Sequence, residues 1–431
     1  MKKLVVGGIA AMLVIAFVGA AALALLARSN EAWAQRIAYV PRLAQTTLRN
    51  LQPAPVLPTP PPAGADTRAR LLALTPLAPP TLPHPEVEVI GAAPLPAPLG
   101  PTPTLAPTVM ATSGPTPTPS PEPVAAQVAL QGVQHAYQTW NNCGPATIAM
   151  NLSYYGHYRN QAETATFLKP DADDKNVSLE QMVAYARSQG FEGIIRLGGT
   201  VELLQRLLAN GFPVIVEDWM EPEDRGGIGH YRLFTGYDTA AGHFVAQDSY
   251  YGPNRPMAMA EFDATWRVFN RRYAVIYRPE ALRNVEALLG AMANDEAMLA
   301  HTLTVARDEA EANPGDVFAW FNLGTTYSWL GETELAAAAF DEARRIGLPF
   351  RMLWYQMEPF EAYLGAGRYE EVIQLAEATL QTTGNHEEAH YYQGLAYQAL
   401  GNGAAAGRAL RKALDYNPNF AGAAEALAAL E

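Results

Sequence analysis

Gln138-Thr139-Trp140-Asn141-Asn142-Cys143-Gly144-Pro145-Ala146 holds the only cysteine in a chain of 431 residues. A lone thiol forms no intramolecular disulfide, which leaves packing, oxidation or nucleophilic chemistry as its use. Free cysteine is ordinarily a small buried hydrophobe. Here the neighbours argue otherwise. Pro145 is pre-set for the first helical position, Ala146, Ala149, Met150 and Ser153 recur at helical spacing, and Gly156 can stop the run. Cys143 therefore falls at a helix N-terminus, where the dipole favours an anion and lowers a thiol pKa. A thiolate there is a nucleophile.

Such a nucleophile needs a base and a group to orient it. Gly229-His230-Tyr231-Arg232-Leu233-Phe234-Thr235-Gly236-Tyr237 and His243-Phe244-Val245-Ala246-Gln247-Asp248 flank the short stretch Asp238–Gly242, which reads as a β-hairpin. Folded about residue 239, His230 and Asp248 become cross-strand neighbours, about 4.5–5.5 Å apart at Cβ if directly opposite. The carboxylate then accepts from one imidazole nitrogen while the other faces the thiol. His243 and His135 are the local competitors for the role of base. Asp248 could instead form the turn before Tyr251-Gly252-Pro253-Asn254, and Gln138 could bind only loop backbone.

On these residues the chain resembles, over 131–279, the papain-like cysteine peptidases of the bacteriocin-processing, double-glycine leader type, in particular their stand-alone relatives without a transporter. The resemblance rests on Gln138, the Asn-Cys-Gly-Pro-Ala run, the Gly-His-Tyr strand opening and the Asp that ends the partner strand. It implies an α+β papain-like fold with Cys143 as nucleophile, His230 as base, Asp248 as orienter and Gln138 as oxyanion-hole donor. Gln138 stands five residues before Cys143, one short of the spacing the resemblance leads one to expect. No Gly-x-x-x-x-Gly-Lys-Ser/Thr run accompanies it, so an ATP-driven exporter is not implied.

Around this core, Ser178-Leu179-Glu180-Gln181 reads as a capping box opening a helix that ends near Gly190. Glu192–Leu197 reads as a strand, Thr200–Asn210 as a helix and Pro213–Glu217 as a buried strand. Glu217, Asp218, Glu221, Glu223 and Asp224 read as a solvated acidic surface that could select basic substrates. Asp171–Asn176 superficially suggests calcium, but it lacks Gly at the sixth position and has Met182 where a bidentate Glu belongs.

Lys2 and Lys3 precede an apolar run from Leu4 to Ala27, about 24 residues, which suits one membrane span and exceeds a signal-peptide core. A cleavage-like Ala32-Trp33-Ala34 keeps a removable signal as the alternative. Both routes place the remainder outside the cytoplasm. Residues 35–124 are dense in Pro and Thr, a composition that cannot build a core and prefers extended polyproline II. Fully extended, some 70 such residues reach on the order of 200 Å.

Beyond residue 281 the pattern turns to helices at a fixed period. Trp320, Leu323, Gly324, Tyr327, Gly331, Ala336, Phe340, Ala343 and Pro349 follow the tetratricopeptide order, and Gly394, Tyr397, Gly401, Ala406, Leu410, Ala413 and Pro418 repeat it. Residues 282–431 thus resemble an all-α tetratricopeptide solenoid, a fold that commonly binds peptides or proteins. The net charge of −13 argues against nucleic-acid binding, and no metal or cofactor motif is present. The whole reads as a transmembrane segment (1–34), a disordered Pro/Thr-rich linker (35–124), a peptidase domain (125–281) and a repeat domain (282–431). Its expected activity is peptide hydrolysis, with a protein partner or substrate on the repeats. A catalytically inactive binding protein, and a Cys-dependent acyl transferase or amidase, are the alternatives.

Overall fold

The computed structural model describes residues 56–62, 66–73, 125–221 and 227–430. The apolar N-terminal run, the cleavage-like site and most of the Pro-rich segment lie outside the described residues. Among the described residues no helix is long and apolar enough to cross a membrane.

The Cys143 helix comes first in the central region: α2 (Cys143–Tyr154) follows the short strand β1 (Gln127–Ala129). After α3 (Gln161–Leu168), α4 (Leu179–Ser188) opens on the Ser178/Gln181 capping box read from the sequence. Then come β2 (Glu192–Arg196), α5 (Val201–Ala209), β3 (Val214–Met220), β4 (Ile228–Asp238), β5 (His243–Asp248), β6 (Gly252–Ala258), α6 (Met259–Trp266) and β7 (Tyr273–Tyr277). The strands form one antiparallel sheet in the order β2-β7-β3-β4-β5-β6, with β1 beside the end of β4. Alternation along the central strands sorts side chains between two cores. Ile215, Leu233 and Ile276 meet α2 and α4 on one face, whereas Val214, Phe234 and Val275 meet α5, α6 and α7 (Leu282–Leu289) on the other.

From α8 (Asp295–Ala312) onward the chain is helical: α9 (Val317–Trp329), α10 (Thr333–Ile346), a 3-10 turn over Phe350–Trp354, α11 (Glu358–Gly365), α12 (Tyr369–Thr382), α13 (Glu387–Ala399), α14 (Gly403–Tyr416) and α15 (Ala421–Ala428). The repeated glycines do equivalent work. A Cβ on Gly324 would meet the Phe340 ring at 2.7 Å, and one on Gly394 would meet Leu410 Cγ at 2.7 Å, sixteen residues on in each case. Each glycine lets a helix lie directly against its partner.

Two expectations need correction. Glu217 and Asp218 are not solvated: they sit inside β3 with 1% and 2% exposure, carried in by the apolar run that starts at Val214 and resumes at Trp219. Glu221 is exposed, and Glu223 and Asp224 lie outside the described residues. Nor is the 35–124 segment structureless throughout. Residues 56–62 lie along the array, and 66–73 carry a short helix, α1 (Thr67–Ala73), with Leu71 buried at 1%. Tyr327 Oη donates to Leu71 O, Arg345 Nη2 donates to Pro61 O at 3.3 Å, and Arg68 pairs with Glu342 at 2.9 Å. Pro and Leu there bury apolar surface against a preformed helical face, which the segment could not do alone.

Candidate active site

Gln161 shapes the approach to Cys143. Its Oε1 accepts from Thr139 N at 2.7 Å and from Asn142 Nδ2 at 2.9 Å, and its Nε2 donates to Tyr137 O at 2.6 Å. Lys169 Nζ donates to Asn141 O at 2.9 Å. Cys143 is the first residue of α2, so its thiol stands where helix N–H groups lack intrahelical partners. Burial opposes a thiolate there. The hydrogen bond and charge of His230, the Tyr231 backbone N–H and the charge of Lys169 outweigh it, and the thiol pKa is lowered.

The hairpin exists, but its register differs from a fold about residue 239. Leu233 pairs with Gln247 and Phe234 with Ala246, and a bulge at Thr235 shifts the pairing so that Asp238 meets His243. Extending the inner register puts Asp248 opposite Arg232, two residues from His230. Side-chain direction repeats every second residue, so the offset keeps all three on one face. His230 reaches Asp248 diagonally: Nε2 to Oδ1 is 3.1 Å. An ionised carboxylate only accepts, so Nε2 carries the proton and Nδ1 is left for the sulfur.

Arg232, passed over in the sequence, completes the arrangement. Its Nε donates to Asp248 Oδ2 at 2.7 Å, and its guanidinium pairs with Asp218, directly across from His230 on β3. Thr265 Oγ1 donates to the other Asp218 oxygen at 3.2 Å. Asp248 Oδ1 also accepts from Tyr250 N and Tyr251 N at 2.8 Å each. Burial disfavours the Asp248 charge, but His230, Arg232 and the backbone donors hold the carboxyl well below its usual range. Burial also disfavours imidazolium, yet Asp248 and Cys143 raise His230 to about 9. The turn-former reading of Asp248 is thus true as well, since the carboxylate does both jobs.

Gln138 lies beside this row. Its Oε1 accepts from Ser249 Oγ at 2.8 Å, and its N–H donates to Ser249 O at 2.8 Å. The oxygen of the amide is fixed by the residue after Asp248, which orients the amide as a whole. The competing histidines lie elsewhere. His243 sits at the turn end of β5 opposite Asp238 and Ala258. His135 lines a separate cavity of about 210 Å³ with Thr235, Gln247 and Asn254, and burial lowers its pKa.

The region that carries these residues is similar to known proteins. The model of the Peptidase_C39 like family matches residues 127–274, about a third of the chain and the part that carries the sheet. Among solved structures, a protein described as a C39-like peptidase from Bacillus anthracis is 15% identical, with 35% of this chain and 98% of that one covered and a TM-score of 0.29. The peptidase domain of Streptococcus ComA, a bifunctional ABC transporter of a quorum-sensing pathway, is 16% identical over 34% and 99% of the two chains, with a TM-score of 0.28. A double glycine motif protease from an AMS/PCAT transporter, in complex with its leader peptide, is 20% identical over 35% and 98%, with a TM-score of 0.27. No curated protein sequence matches the chain.

Proposed function

We propose that the chain is a papain-like cysteine peptidase acting through Cys143, His230, Asp248 and Gln138. The observation that carries this reading is the row from the α2 N-terminus to β5: His230 lies close enough to the thiol to lower its pKa, and His230 Nε2 is 3.1 Å from Asp248 Oδ1. Because the thiol is lowered and the imidazole raised to about 9, proton transfer from sulfur to His230 is favoured, and the pair rests as thiolate–imidazolium until the imidazole titrates. The thiolate attacks the scissile carbonyl carbon, and the developing oxyanion takes hydrogen bonds from the Cys143 backbone N–H and the Gln138 amide. His230 passes its proton to the leaving amine. It then takes one from water, whose oxygen displaces the sulfur from the acyl-enzyme.

The substrate is a peptide or protein. The helical array belongs to this reading as a tetratricopeptide-type solenoid that recruits a protein partner or the substrate itself. The apolar run Leu4–Ala27 supports a single membrane span with the body outside the cytoplasm. Turnover of a short peptide by the purified chain tests the activity, with Cys143→Ala expected to abolish it at little cost in stability. Undiminished hydrolysis by that variant overturns the assignment. Product analysis with and without an added amine separates hydrolysis from acyl transfer.

A further inference from the structure

The two sides of the Cys143 cleft are separate pieces of chain. One is the segment leading into Cys143, braced by the 169–176 loop: Lys169 Nζ donates both to Asn141 O at 2.9 Å and to Ala172 O at 3.0 Å. The other is the start of β4, Gly227 to His230. The two elements meet where α2 packs on β4, with Thr147 Oγ1 donating to Tyr231 O at 3.3 Å, but the loop before Cys143 and the start of β4 each also need a support of their own.

The helical array grips both. On the thiol side, Asn385 Nδ2 donates to Asp171 Oδ1 at 2.7 Å, and Asn176 Nδ2 donates to Glu388 Oε1 at 3.3 Å. On the imidazole side, Arg351 Nη1 donates to Gly227 O at 3.3 Å. Tyr355 lies ring-down on Gly229, the residue before His230. A Cβ at Gly229 would stand 3.0–3.1 Å from Cγ, Cδ1 and Cδ2, so any larger residue would push the ring back by a few tenths of an ångström. Phe269 backs the ring at 6.3 Å between centroids, and Trp219 backs Phe269 at 6.1 Å. The apolar core accordingly runs unbroken from the sheet region into the array, through Trp219, Phe269, Trp320 and Leu353.

Inside the array the two grips are joined. His386 Nε2 donates to Trp354 O at 3.1 Å, which links the turn carrying Asn385 and Glu388 to the residue before Tyr355. His386 Nδ1 accepts from Ala389 N at 3.2 Å, so the ring is neutral with its proton on Nε2, as its burial also favours. Tyr355 feels the site as well: burial raises its phenol, and the charges of Cys143 and Glu217 raise it further.

We propose that the helical array is a clamp across the Cys143 cleft, and that Tyr355 is the positioning residue through which it holds His230 against the thiol. This deepens the peptidase reading, on which the purpose of the clamp rests. Activation of the thiol is then a property of both parts of the molecule, and an array displaced by a partner would loosen the Cys143–His230 pair.

The test needs no substrate. Cys143 is the only thiol, so the pH dependence of iodoacetamide alkylation of the full chain reads the ion pair directly. The unaltered chain should react well below the pH that an ordinary thiol, pKa about 8.5, requires. Tyr355→Ala should move that profile up by about one pH unit, which is about tenfold slower reaction at pH 6. Tyr355→Phe keeps the ring on Gly229 and should keep the profile. Asn385→Ala, at the other grip, should shift it in the same direction and reads the clamp even if Tyr355→Ala does not fold. Leu410→Ala on α14 weakens the array away from the cleft and should leave the profile alone. An unchanged profile in both Tyr355→Ala and Asn385→Ala overturns the clamp, as does an equal shift in Leu410→Ala. A chain that reacts only as an ordinary thiol before any substitution overturns the peptidase reading instead.

Discussion

Asp218, His230, Arg232 and Asp248 are buried as two acids facing two bases, whereas Asp174, Glu217, Glu361 and Glu388, along the seam with the array, are buried with too few cations. The first group exchanges ion pairs and hydrogen bonds within itself. In the second, Glu217 has no hydrogen-bond partner on either oxygen among the described residues, and burial pushes it up to about 8 against the charge of Arg272. Burial raises Glu361 and Glu388 to about 7 each, and burial together with the charge of Glu388 raises Asp174 to about 7. Within the first group the pairing wins at Asp248 and His230, whereas burial outweighs Arg232 at Asp218 and raises that carboxyl. The His230–Asp248 pair therefore holds its charges near neutral pH, and the seam carboxyls take up protons there.

The largest break in this contrast comes from removing the central cation. Arg232→Met leaves Asp218 and Asp248 facing His230 alone, and uncompensated buried charge of this kind costs about 3–5 kcal/mol. Urea unfolding of the variant should show a loss of that order. A loss within about 0.5 kcal/mol, the range of ordinary surface substitutions, would mean that the four groups do not act as a unit.

Next in size is the response of the seam to pH. The folded-state value of Glu217 lies above its ordinary 4.5, so its contribution to stability is complete below that value and is lost as pH rises through about 8. Asp248 runs the other way: its folded-state value is depressed, and its contribution is lost only as pH falls through the acid range. The chain should therefore melt lower at pH 9 than at pH 6. Glu217→Gln, which cannot ionise, should flatten part of that fall, by at most a few kcal/mol in unfolding free energy. An equal fall in the variant would place the sensitivity elsewhere. His230, raised to about 9, would then be the first group to consider, because its contribution too is lost as pH rises through that value.

Local signals made the grouping of His230 and Asp248 and the helix at Cys143 legible. Pro145 after Cys143 announced the helix start, and alternation on the 229–248 stretch put His230 and Asp248 on one face. The register was not legible, because a bulge at Thr235 leaves no mark in a pattern of apolar residues. The charge of Glu217 and Asp218 suggests surface, and the strand around them overrides it. The signal was there: Val214-Ile215-Val216 before them and Trp219-Met220 after them form one apolar strand. Tyr355, Asn385 and the docked stretch 56–73 act through contacts across long separations in the chain, and no local periodicity announces such contacts.

The smallest expected effect is also the sharpest test of the hairpin. His243 and His230 lie on the two strands of one β-turn-β unit, and composition alone does not choose between them. The structure puts His243 at the turn, opposite Asp238 and Ala258, half-buried and away from Cys143. His230 is 2% exposed and bonded to Asp248. His243→Ala should change stability by less than about 0.5 kcal/mol and leave both peptide turnover and the alkylation profile of Cys143 untouched. His230→Ala removes the cationic partner of the thiolate, and alkylation at pH 6 should slow at least about tenfold. If His243→Ala slows the thiol and His230→Ala does not, the pairing of β4 with β5 is wrong, and the row from Cys143 to Asp248 falls with it.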